Sequence, residues 1–142
     1  MTNGIEPRTL VQWIRGRDGN IALLVRGAHR PATTEFLTPA ACIQQLGFVV
    51  HPRGAVVAPH THRATERRVT GMSELLMVRE GRCEVDLYDA PKTLVATLDL
   101  MAGDLLLMVA GGHGVRMTER CVILEMKQGP FTGPDDKVLL TP

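Results

Sequence analysis

A chain of 142 residues, 44% hydrophobic and 22% charged, has the length of one domain and the balance of a globular protein rather than a disordered one. Sixteen Lys and Arg against 15 Asp and Glu leave a net charge of +1, and one Trp, one Tyr and three Phe supply few stacking platforms. That balance excludes an electrostatic footprint for DNA or RNA, so no nucleic-acid partner is expected.

No apolar stretch approaches the roughly 18 residues of a membrane span, so no membrane partner is expected. The opening MTNGIEPRTL lacks a charged region followed by an apolar one, and a secretory signal is not expected either. Cys42, Cys83 and Cys121 are widely separated, and an odd set of this kind suits free thiols in a reducing compartment. The expectation is a cytoplasmic protein.

Fourteen Gly and nine Pro leave little room for long helices. Residues 9–17 and 20–26 read as two strands, with Asp18-Gly19 suited to a two-residue hairpin turn between them. Residues 39–45 are the one briefly helical stretch. Strands at 45–51 and 55–58 are broken by Pro52-Arg53-Gly54, and strands at 74–79 and 83–88 are separated by a turn at Glu80-Gly81. In the last of these, Cys83, Val85 and Leu87 alternate with Glu84, Asp86 and Tyr88, as a half-buried strand requires. Residues 93–100, 105–109, 115–118 and 121–126 complete a set of about ten strands. The prediction is an all-β fold, a sandwich or barrel of the jelly-roll kind. Met77, Met108, Met117 and Met126 read as core filler.

Three histidines fall where strands gather side chains. His60 and His62, two apart on an extended chain, leave the same face. His113 lies in AGGHGVR, where Gly111, Gly112 and Gly114 let the backbone bend closely. Three imidazoles and one carboxylate make a facial cup for a divalent cation.

These residues resemble the cupin superfamily. Its first motif runs Gly, five residues, His-x-His, then a Glu followed by six residues and Gly. Gly54-AVVAP-His60-Thr61-His62 and Glu74-LLMVRE-Gly81 match its two ends, with eleven residues between His62 and Glu74 instead of the usual three or four. The second motif is similar to Gly103-Asp104-LLLMVA-Gly111-Gly112-His113, although the turn proline is absent, His113 arrives one residue early and Met117 replaces the trailing Asn. The resemblance covers roughly residues 46–127. SELLMVREGRCEVDLYD and the ending ILEMKQGPFTGPDDK are similar to small cupin-fold metalloproteins found with bacterial surface-polysaccharide and lipopolysaccharide genes.

The resemblance implies a single-domain cupin over residues 1–142, a double-stranded β-helix or jelly-roll barrel. Its parts are a motif-bearing core at about 46–127, an N-terminal hairpin at about 9–26 and a wrapping C-terminal tail at 128–142. It implies one divalent metal ion, Zn, Fe, Mn or Ni, held by His60, His62, His113 and a carboxylate. Glu74 is the first choice for that carboxylate and Glu66, four after His62, the alternative. It also implies an association with sugar-nucleotide or glycan metabolism.

Around this site, Arg67 and Arg68 are candidates for a lid over an anionic substrate, or for a solvated loop face. Glu125 and Lys127 share a strand face, either as a pair lining the site, with Lys127 toward substrate and Glu125 moving a proton, or as a strand-end ion pair. Glu66 is a second proton-transfer candidate. No phosphate-binding loop, dinucleotide fingerprint or serine nucleophile elbow is present. Two functions are open: a metal-dependent enzyme of isomerase, epimerase or dioxygenase type acting on a small molecule, or a non-catalytic small-ligand-binding barrel with a structural metal or none. Exposed sheet edges lead us to expect a homodimer, with the N-terminal hairpin as its contact.

Overall fold

The computed structural model describes residues 9–90 and 92–140, so most of the segment read for a secretory signal and the last two residues of the tail lie outside the described residues. Among the described residues the fold is all-β and antiparallel, and no closed barrel forms. No helix is long and apolar enough to cross a membrane. The chain divides into two compact units, one of residues 1–29 and 72–142, the other of residues 30–71.

In the first unit β1 (Val11–Gly16) and β2 (Gly19–Val25) form the N-terminal hairpin. The expected turn is displaced by one residue: Gly16 pairs with Gly19, so Arg17 and Asp18 make the connection and Gly19 carries the positive φ, +132°. A bulge opposite Ile14 and Arg15 leaves Ile21 unpaired with β1. It turns both Ile21 and Ala22 into the core.

β5 (Glu74–Glu80), β8 (Leu105–Met108) and β10 (Val122–Lys127) complete a five-stranded sheet in the order β1-β2-β8-β5-β10. β6 (Arg82–Tyr88), β7 (Leu94–Met101) and β9 (Gly112–Met117) form a three-stranded sheet in the order β7-β6-β9. The single Gly81 between β5 and β6 is therefore a corner from one sheet to the other rather than a hairpin turn. Its φ of +77° is a conformation that side chains disfavour.

The two sheets face each other across one core. Ala22, Leu24, Leu76, Val78, Leu106 and Met108 come from one side, and Cys83, Val85, Leu87 and Leu100 from the other. The alternation read from residues 83–88 is the observed one, with odd positions buried. Met117 and Met126 are exposed instead of core, because each sits near the end of an edge strand.

Behind the core, Asp104 (3% exposed) ties three segments together. It accepts hydrogen bonds from Arg26 Nη1 at 2.8 Å, the Gly27 amide at 2.8 Å and the Met101 amide at 3.1 Å.

The second unit holds β3 (Glu35–Phe36) and β4 (Gly47–Phe48), an antiparallel pair two residues long. Only this fragment of the strand expected at 45–51 forms. The brief helix expected at 39–45 is a single turn, closed by the Cys42 amide on Pro39 O at 2.9 Å. Gln45 Nε2 then takes the carbonyls of Pro39 and Cys42, which a helix would have used. Residues 55–58 belong to no strand. Pro52 and Pro59 bracket them, and Gly54, at φ +84°, turns the chain just before.

Candidate metal centre

Register decides which side chains meet. Glu74 and Leu76 share the core-facing side of β5, and their partners on β10 are Lys127 and Glu125. From the opposing sheet, His113 pairs with Leu87, whose side chain is buried in the core, so His113 also turns inward. The structure thus places His113 within β9, whereas the sequence put it in the turn before a strand at 115–118.

Four titratable side chains consequently meet in the first unit, carried on β5, β9 and β10. His113 Nε2 stands 3.4 Å from Glu74 Oε2, with side chains 32% and 15% exposed. Lys127 Nζ lies 2.6 Å from Glu125 Oε1. Glu125 is also close enough to Glu74 for the two carboxyl groups to influence each other.

Burial is the largest influence on Glu74 and pushes its carboxyl above the ordinary range; His113 opposes the rise and Glu125 adds to it. Lys127, through its hydrogen bond, holds Glu125 below the ordinary range, and Glu125 in turn raises Lys127. Glu125 and Lys127 thus form a strand-end ion pair, and that pair is continuous with Glu74.

The donor chemistry of Glu74 and His113 fits a divalent cation. Two ligand atoms about 2.0–2.2 Å from one ion stand about 3–3.5 Å apart, which brackets the spacing found. Within either unit, among the described residues, no three His, Cys, Asp or Glu side chains are grouped to hold a metal.

His60 and His62 lie in the second unit on an exposed stretch outside any strand, with ring centroids 5.4 Å apart in an edge-to-face arrangement. His60 Nδ1 is 2.8 Å from Ala58 O. A carbonyl only accepts, so Nδ1 carries the hydrogen and the lone pair of the neutral ring lies on Nε2, the tautomer a backbone carbonyl fixes in many metal-binding histidines. Glu66, Arg67 and Arg68 are on the same stretch. Arg68 Nε is 3.7 Å from Glu66 Oε1, and Arg67 Nη1 donates to Thr65 O at 3.4 Å.

One element of the site has no counterpart in the sequence reading. The Ser73 amide donates to Gln128 Oε1, and Gln128 Nε2 donates to Ser73 Oγ, each at 2.9 Å. This reciprocal clasp sits one residue beyond the Glu74–Lys127 pair, and only the β5–β10 register, counted one step further, would have pointed to it. No protein-family model, no curated protein and no solved structure matches this chain, so the site is read from its own residues.

Proposed function

We propose that this chain is a small metal-binding protein of the cupin kind, a jelly roll in which His60, His62, Glu74 and His113 hold one divalent cation, Zn, Fe, Mn or Ni, beside a sugar-type or sugar-nucleotide-type ligand. The observation that carries this reading is the meeting of Glu74 and His113. Two opposed sheets deliver a carboxylate and an imidazole to ligand spacing at a partly dry position. A buried carboxylate calls for a partner, and a cation is one that satisfies it. The sequence motif joins His60 and His62 to that pair, and the tautomer of His60 suits the role.

A bound divalent ion supplies Lewis-acid polarisation of a carbonyl or hydroxyl oxygen. The chain's own groups supply the rest. Lys127, with Arg67 and Arg68, offers cations to an anionic substituent. Glu125, kept ionised beside Lys127, accepts a proton from a C–H or O–H group, as an isomerase or epimerase requires. Glu66 is the second candidate base, and an oxygen-dependent reaction would take iron at the same ligands.

The test is elemental mass spectrometry on tag-free protein, with His60→Ala/His62→Ala, Glu74→Gln and His113→Ala alongside. Near-stoichiometric metal is expected in the wild type and its loss in each variant. A wild type without metal after reconstitution, or variants that retain it, would overturn the reading. A turnover screen against nucleotide sugars then separates enzyme from binder: tight binding without turnover assigns the non-catalytic role.

A further inference from the structure

Two of the free cysteines, Cys83 and Cys121, stand at one corner of the first unit. The chain passes between the two sheets there twice. Gly81 carries it from β5 to β6, and residues 118–121 carry it back from β9 to β10. The second passage is pressed onto the first. The amides of Thr118 and Glu119 both donate to Arg82 O at 3.2 Å, and Thr118 Oγ1 donates to the same carbonyl at 3.1 Å. Gly81 leaves so little room that a Cβ there would meet the Arg120 carbonyl and stand 3.1 Å from Cys121 Cα.

This crossing brings the two thiols to the same side. Cys83 is two residues beyond Gly81, on the core-facing side of β6, and is fully buried. Cys121 is the last residue before β10, is only partly buried, and packs against the core cluster that contains Cys83. The Cys121 thiol is near enough to influence that of Cys83. Burial keeps Cys83 protonated, whereas Cys121 is the member of the pair that a dissolved oxidant reaches first. Cys42 belongs to the other unit.

We infer that Cys83 and Cys121 are a reversible disulfide pair, closed by hydrogen peroxide and reopened by a small thiol reductant. Cys121 attacks one oxygen of the peroxide. An S–O bond forms, the O–O bond breaks, and the departing hydroxide takes the thiol proton and leaves as water. The sulfur of Cys83 then attacks that of the Cys121 sulfenic acid. An S–S bond forms, the S–O bond breaks, and the departing hydroxide takes the Cys83 proton as a second water. Together the thiols give up two electrons, and the peroxide takes both. Reopening is thiol exchange, in which the reductant ends as its own disulfide and the protein recovers both thiols.

The bond would join β6 to the head of β10. Among the described residues β10 is an edge strand paired with β5 alone, and its pairing slips between Val122 and Ile123, next to Cys121. Oxidation therefore fastens the irregular end of the strand that carries Glu125 and Lys127. The pair does not depend on the proposed metal centre.

A Cys42→Ala protein, which keeps both members of the pair, tests the inference. It is reduced, freed of reductant and exposed without denaturant to a small molar excess of hydrogen peroxide. Both free thiols are expected to disappear, the mass to fall by that of two hydrogens, and a Cys83–Cys121 linked peptide to appear in a non-reducing digest. Dithiothreitol should reverse all three. Cys83→Ser should halt at the sulfenic acid, seen as a Cys121 adduct of a 1,3-dione probe. Thiols that stay free while exposed methionines are oxidised would overturn the pair. So would a crosslink between chains in place of the internal one, or a linked peptide that forms only in urea. Cys121 carried on to sulfinic acid with Cys83 still a thiol would overturn it as well.

Discussion

Replacing Asp104 with Ala tests the account of the core most directly. The carboxylate is 4% exposed and its partner Arg26 12%, with 2.8 Å between them. Truncation leaves the guanidinium its bond to Asp99 O at 2.7 Å without the Asp104 counter-charge, and among the described residues Arg26 Nε already has no hydrogen-bond partner. The amides of Gly27 and Met101 lose their acceptor as well. Removing one member of a buried pair costs about 3–5 kcal/mol, so we expect a loss of about 4 kcal/mol. That is a large share of the roughly 5–15 kcal/mol that holds a domain together, and Tm should fall by roughly 12–16 °C. Urea unfolding measures the change, with an unaltered m value showing that the comparison is between like states. Arg26→Met/Asp104→Leu, which removes both charges, should lose less than Asp104→Ala because no charge is left alone. An Asp104→Ala protein within 1 kcal/mol of wild type, in this ~4 kcal/mol prediction, would refute the reasoning.

Gly81→Ala would place a methyl group against the carbonyl of Arg120 at a φ of +77°, and should cost about 2 kcal/mol or more by thermal unfolding; an unchanged Tm would mean the corner is not built as described. Arg116→Ala should leave Tm nearly unchanged, because the arginine, 60% exposed, meets Glu84 at 2.5 Å and Asp86 at 3.7 Å on an outer face open to water. A clear fall in Tm would show that this face is covered. Burial, reinforced by neighbouring Cys121, pushes the Cys83 thiol from 9.0 up to about 11. The folded state thus holds its proton where the unfolded state has lost it: the contribution is intact below pH 9.0, falls between 9.0 and about 11, and levels off above. The drop is about 3 kcal/mol at most. Wild type and Cys83→Ala compared by urea unfolding from pH 8 to 11 should diverge over that window, and parallel curves would refute the burial argument.

What the sequence made legible depends on where periodicity survives. Residues 83–88 alternate strictly, so both the strand and its buried face could be read. In β2, Ile21 to Val25 are apolar without interruption, which hides the bulge that sends Ile21 and Ala22 to one side. The hairpin slipped by one residue because glycines stand at both 16 and 19, and pairing them left Arg17-Asp18 as the connection. Residues 30–71 resisted reading, since prolines at 31, 39, 52 and 59 interrupt every run before a period is established. Glu74 and His113 were both named as candidates from motif spacing, and Glu125 with Lys127 from a two-residue interval. The rise that burial and Glu125 impose on Glu74 was not legible, because it depends on a cross-strand neighbour that only the register supplies.

The Ser73–Gln128 clasp bears on how strain passes along the chain. Its two reciprocal bonds pin the last residue before β5 to the residue after β10, immediately outside the Glu74–Lys127 rung. A pull or twist arriving from upstream is borne at Ser73, as a rope is held by a cleat, and stops one residue short of Glu74. Glu74, the first residue of β5, is thereby held in register opposite Lys127 by a fastening outside the strand itself.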